Sequence, residues 1–226
     1  MQQNPDFPPT ILGRLMSEYY GGRCECRIRK TPVKVTVLDF FSMYPTVTLL
    51  LGPWEFTIVD KIQYIDDTEN TQRLIEEFTF EDALNHDFWK QLNVLVEIEP
   101  DEDILPVRTK YADDDGTFNI GINYITFNGS LYYFLSDILA SKLLTGKLPK
   151  IKKAIKFIPE EIQEGLKDSE IYGVHVNPKE DNLIKVLVER RQKIKDEMKE
   201  MSKDSHEYDV LDSQQKALKI LNNSTT

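Results

Sequence analysis

No glycine or proline interrupts residues 180–203, and glutamate, lysine, leucine and methionine dominate them. Such a run is a strong helix former. Leu183, Leu187, Ile194, Met198 and Met201 recur at helical spacing, which gives the helix an apolar stripe to bury. The polar stretch 202–208 then breaks the pattern. A second helix is expected over residues 208–223, with Val210, Ala217, Leu218 and Leu221 on its buried side. Two helices joined by so short a connector usually pack antiparallel. The last part of the chain is thereby constrained to a helical hairpin.

Upstream the pattern changes from helix to strand. Residues 23–30 alternate charged and apolar side chains, as a half-buried strand would. Val33 to Phe41 is β-branched and apolar and contains Asp39, so a buried strand ending near that acid is expected. Tyr44-Pro45 interrupts the run, and proline at a helix start lets Thr46 to Leu51 begin a helix. Further on, strand-like pieces cover 57–64, 94–98 and 107–111. A helix is expected around Phe80–Leu92 and an amphipathic one over Leu131–Leu144, closed by Gly146 and Pro149. Asp115-Gly116 reads as a hairpin turn.

The 226 residues suit one sizeable domain or two small ones. Net charge is -10, but residues 51–120 alone carry 18 acidic and 5 basic side chains. The flanks are close to neutral, so the acidity is a property of one block and does not exclude a nucleic-acid partner at the rest. Nothing approaches the roughly 20 apolar residues of a membrane span. Cys24 and Cys26 are too few to form a metal site and read as free thiols of a cytoplasmic protein.

Two stretches carry chemistry. An acid at the end of a buried strand, here Asp39, either binds a divalent metal or caps the turn that follows, and local physics leaves both open. In the second helix, Gln215, Lys219 and Asn223 stand at i, i+4 and i+8 and share a face. Arg191 and Lys195 lie one turn apart on the first helix. An antiparallel pair would let these cations converge on a polyanion. Either helix alone would equally show them as a solvated charged face.

Taken together, these stretches resemble family B DNA polymerases. Asp39-Phe40-Phe41-Ser42-Met43-Tyr44-Pro45-Thr46 is similar to the family's first palm motif. Gln215-x-Ala217-Leu218-Lys219-x-x-x-Asn223-Ser224 is similar to its fingers motif, and residues 189–195 to its first fingers helix. Tyr19-Tyr20-Gly21-Gly22 resembles the family's Tyr-x-Gly-Gly element. The implied fold is an α/β (α+β) palm fragment with an acidic insertion and an antiparallel helical fingers hairpin. The expected division is a palm part with the first motif at 1–52, the insertion at 53–130, a connecting helical segment at 131–179 and the fingers at 180–226.

The resemblance also implies roles. Asp39 would be the catalytic carboxylate and would hold two magnesium ions, with the Phe40 carbonyl touching one. The Ser42 and Met43 amides would grip the triphosphate of a deoxynucleotide, with Arg191, Lys195 and Lys219 neutralising it. Tyr44 would lie under the deoxyribose and reject a ribose 2′-OH, with Pro45 biasing it toward extended backbone angles. Asn223 would sit near sugar and base, and Tyr19, Gly21 and Gly22 would touch primer-template DNA.

The sequence departs from the family pattern in places. Gln214 stands where an arginine is usual, and Thr226 where a tyrosine is. The family's second catalytic aspartate has no counterpart among the 226 residues. This polypeptide alone is therefore expected to be inactive as a polymerase: an excised piece of a longer protein, a truncated gene product or half of a split enzyme. Asp39 and Lys219 lie 180 positions apart. That separation is longer than the resemblance implies, and an insertion at this position resembles the protein-primed branch, whose partner is a priming terminal protein. Tyr111-Ala112-Asp113-Asp114 mimics a reverse-transcriptase motif but precedes the fingers, so an exposed turn is the simpler reading. The alternative to an enzyme is a non-catalytic module that binds DNA or protein.

Overall fold

A computed structural model describes residues 7–18, 20, 28–40, 42–109, 118–171 and 173–225. In chain order they form α1 (Pro9–Ser17), α2 (Met43–Leu51), α3 (Trp54–Thr57), β1 (Val59–Asp66), α4 (Thr68–Glu77), α5 (Phe80–Ala83) and α6 (His86–Trp89). After a 3-10 turn at Lys90–Leu92 come β2 (Val94–Ile98), β3 (Ile104–Thr109), β4 (Asn119–Tyr124), β5 (Leu131–Phe134), α7 (Leu135–Thr145) and β6 (Ile151–Ile162). The chain closes with β7 (Ser169–Ile171), β8 (Val174–Val176), α8 (Leu183–Lys199) and α9 (His206–Thr225). Helices combined with antiparallel pairings make this an α+β fold.

Contacts divide the chain into two compact units. The first comprises Met1–Thr36 and Ile62–Ile158, the second Val37–Lys61 and Pro159–Thr226.

In the first unit the sheet has the order β1-β6-β2-β5. Central β2 is buried almost throughout: Val94, Leu95, Val96 and Ile98 lose nearly all exposure. It pairs antiparallel with β5 (Val96 opposite Tyr133) and with β6 (Val96 opposite Ala154). Helix α7 covers this core with Leu135, Ile138 and Leu139, an i, i+3, i+4 stripe. It ends at Gly146, whose φ of +69° favours a residue without a Cβ. Lys142 on α7 donates from Nζ to the carbonyls of Ile75 (2.6 Å), Glu76 (2.9 Å) and Phe78 (2.8 Å), closing the C-terminal end of α4.

Several sequence expectations need correction here. Residues 131–134 are a strand and not the start of a helix. Tyr132 and Tyr133 favour a pleated surface, and Tyr132 donates its hydroxyl to Glu97 of the neighbouring strand at 2.6 Å. The single helix around Phe80–Leu92 is broken in two. Thr79 and Asp82 form a capping box before α5, and the Asn85 side chain accepts from Asp87 N to start α6. Strands β3 and β4 do pair antiparallel, although the Asp115-Gly116 turn between them lies outside the described residues.

The largest departure is Val33–Phe40, which is not a strand. Val37 and Leu38 are each 88% exposed, and no sheet contains them. Strand propensity expresses packing against neighbours, and among the described residues this run has no neighbouring strand. Asp39 therefore lies in an irregular stretch.

In the second unit, α8 and α9 pack together around Leu187, Ile194 and Leu218, with Leu183, Met198, Leu211 and Leu221 at the margins. A connector of only six residues between packed helices forces the chain to reverse, so the hairpin is antiparallel. Asn182 caps α8 by accepting from Lys185 N. Helix α2 packs against the α8–α9 pair and ends at Gly52, which is in the left-handed region at φ +72°.

Candidate functional site

Within the second unit, the turn leading into α2 faces the α8–α9 hairpin across a cleft of about 300 Å³. Its lining includes Asp39, Phe40, Ser42, Met43 and Tyr44 from the α2 side, and Arg191, Lys195, Lys219 and Asn223 from the helices. The structure thus brings together nine residues that the sequence singled out in two distant stretches. Tyr19, Gly21 and Gly22 lie outside the described residues, as do Cys24, Cys26, Tyr111–Asp114 and Thr226.

Local sequence explains the convergence. On α8, Leu187 and Ile194 are buried, which turns the intervening Arg191 and the following Lys195 toward the flank of the helix. On α9, Leu218 is fully buried, so Lys219 and Asn223 fall on the exposed side. Pro45 is buried in the first turn of α2, where its missing N–H is tolerated. Tyr44 lies inside that first turn and is 61% exposed. It is helical and not extended: the helix start overrides the bias from the following proline.

Ser42 occupies the N-cap position of α2 with φ +46° and ψ +47°. This left-handed conformation is unusual for a residue with a side chain. Its hydroxyl accepts a hydrogen bond from Arg191 Nη1 at 3.2 Å. Arg191 Nε also donates to Gln215 Oε1 at 3.4 Å. Gln215 Nε2 in turn donates to Asp212 Oδ1 at 3.0 Å, and Lys216 Nζ reaches Asp212 Oδ2 at 2.5 Å. The bond from Lys216, then that from Gln215, holds the Asp212 carboxyl below the usual carboxylate range.

Three cationic side chains and one carboxylate line the cleft. That balance favours an anion with several negative charges. Asn222 also lines it and is only 2% exposed. Sequence reasoning passed over this residue. Its signal was present: Asn222 lies one turn beyond Leu218, where the helix otherwise buries apolar side chains, and a polar residue in that phase is informative. Among the described residues no group of three or more His, Cys, Asp or Glu stands together to hold a metal ion. Nor is any described helix long and apolar enough to cross a membrane.

No curated protein and no solved structure matches this chain. Residues 179–225, which contain α8 and α9, match the family model described as DNA polymerase family B. The Asp39–Pro45 side of the cleft lies outside the matched segment. Over the helical hairpin that carries Arg191, Lys195 and Lys219, the chain is similar to the family B DNA polymerases.

Proposed function

We propose that the cleft binds the triphosphate of an incoming deoxynucleotide, and that the chain serves template-directed DNA synthesis as palm and fingers parts of a DNA-directed polymerase. The observation that carries this reading is the convergence of Arg191, Lys195 and Lys219 on one cleft with Asp39 and the first turn of α2. A triphosphate complements three cations in charge. Lys219 and Arg191 would neutralise its oxygens, the Ser42 and Met43 amides would grip its tail, Tyr44 would carry the sugar and Asn223 would face sugar and base.

Magnesium fits this arrangement when it arrives with the nucleotide. The ion is commonly held by one or two carboxylates together with substrate phosphates and waters, not by an all-protein cage. Asp39 and the Phe40 carbonyl would hold it. Bound there, magnesium would polarise the phosphoryl oxygens and offset charge in an in-line displacement. Around it, the chain's own residues orient the triphosphate and neutralise its charge, and the Tyr44 ring shapes the space left for the sugar.

A second reading, in which the segment binds without catalysing, is favoured by one observation. Asp39 is the sole carboxylate among the described lining residues. Titrating the 226-residue polypeptide with magnesium-dATP tests the binding function shared by both readings. Saturable binding is expected, weakened about tenfold or more by Lys219→Ala, as for loss of a charged hydrogen-bonding partner. Absence of saturable binding would overturn the nucleotide reading. Primer extension separates the two: extension that depends on Asp39 would exclude the non-catalytic role.

A further inference from the structure

Gln215 does not line the cleft, yet it is tied to a residue that does. An amide side chain has one donating and one accepting end. Asp212, held as a carboxylate by Lys216, can only accept. The Gln215 Nε2 must therefore turn to Asp212 (3.0 Å), which leaves Oε1 directed at Arg191 Nε (3.4 Å). Among its described partners, the guanidinium is then held at Nε by Gln215 and at Nη1 by Ser42 at 3.2 Å. Arginine has four rotatable side-chain bonds, and a planar fork binds an anion well only when its plane is fixed beforehand.

We infer that Gln215 is a positioning residue for the triphosphate: oriented by Asp212, it fixes the plane of the Arg191 guanidinium so that the Nη groups face the cleft. The inference rests on the nucleotide reading above and deepens it. Ser42 contributes a neutral acceptor that a phosphoryl oxygen replaces, whereas the Gln215 contact lies on the far edge of the guanidinium and persists when the anion binds. The relay Lys216–Asp212–Gln215–Arg191 thus prepares the cation from outside the cleft.

The test uses the full 226-residue chain and magnesium tripolyphosphate, titrated by calorimetry. Gln215→Met keeps side-chain length and helix propensity but removes the acceptor. Affinity is expected to fall about three- to tenfold, the range for one hydrogen bond, with an unchanged melting temperature. Arg191→Met should weaken binding at least as much. The double variant should be no weaker than Arg191→Met alone, because the two residues act as one unit.

A second measurement begins with the wild-type chain. In wild type the Arg191 Nε–H resonance should exchange slowly with water, and in Gln215→Met faster. Wild-type affinity in Gln215→Met, alongside loss in Lys219→Met, would overturn the positioning role and leave the nucleotide reading standing. Additive losses in the double variant, or fast exchange of the wild-type Nε–H, would do the same. No binding of tripolyphosphate by wild type would remove both.

Discussion

The Arg191 guanidinium donates to the Ser42 hydroxyl at 3.2 Å, joining points 149 residues apart in sequence. Ser42 makes this contact from a left-handed backbone conformation. Two effects therefore meet at one residue, and two substitutions separate them. Ser42→Ala loses the hydroxyl and keeps the conformational cost. Ser42→Gly loses the hydroxyl and the cost together. The glycine variant should be more stable than the alanine variant by about 1 kcal/mol, as measured by urea denaturation. Equal stabilities would mean that Ser42 is not held at positive φ in solution.

Tyr44 is exposed in the first turn of α2 and lines the cleft. If its ring supports the sugar, shortening it opens the space where a 2′-OH would sit. In an active polymerase containing this sequence, Tyr44→Ala should raise ribonucleotide incorporation about tenfold or more relative to deoxynucleotide, a shift of roughly 1.4 kcal/mol in discrimination. Lys219→Ala should weaken both substrates alike, since both carry the triphosphate. Single-nucleotide insertion kinetics with both sugars decides the matter. Unchanged discrimination in Tyr44→Ala would remove the ring from beneath the sugar.

Lys142 ties α7 to the end of α4 through three carbonyl acceptors. Methionine reproduces the stem of lysine but not its donors. Lys142→Met should destabilise the first unit by about 1–2 kcal/mol through lost charge-assisted bonds at a helix C-terminus. Hydrogen exchange should show the effect at the last amides of α4 before it appears in β2. A global loss with no local opening there would contradict it.

Burial pushes the Glu18 carboxyl up from 4.5 to about 7; the Ser17 hydroxyl opposes the shift, while Asp137 adds to it. Asp137 is itself pushed from 3.8 to about 6 by burial. Between pH 4.5 and about 7 the folded chain keeps a proton on Glu18 that the unfolded chain has released. Stability at this residue therefore falls as pH rises through that window and is level on either side. Glu18→Gln should flatten the part of the slope nearest pH 7, leaving the Asp137 contribution at lower pH. Denaturation midpoints from pH 4 to 8 test this, and an unaltered slope would show Glu18 to be solvated.

The parts of the fold legible in the sequence are those specified by local periodicity. Leu183, Leu187 and Ile194 announced α8, and the apolar block Val94–Ile98 announced β2, because each element carries its own burial pattern. Val33–Phe40 carried an equally strong strand pattern and forms none, since pairing depends on a neighbour that a linear pattern does not supply. At Leu131–Phe134 a helical count of apolar residues lost to cross-strand contacts with β2. In the cleft, Lys219 and Asn223 were readable as one helix face. Gln215 was readable on the same face, but its link to Arg191 depends on how the two helices meet.

Residues 37–61 and 159–226 build one unit, and about a hundred residues of the other unit intervene. For the cleft to form, Ser42 must find Arg191 across that intervening chain. A long unstructured connection makes such a search slow, because closure entropy precedes any gain from contact. The nested arrangement offers a remedy in its own sheet. Strands β1 and β6 are neighbours, and Asp67 N donates to the Ala154 carbonyl at 3.0 Å just past the end of β1. Once those strands zip together, the entry and exit of the intervening segment are side by side, and the loop that α2 and α8 must close shrinks to a few tens of residues. Refolding of the helical hairpin onto α2 should then wait on the sheet, which makes the intervening segment a kinetic prerequisite for the cleft.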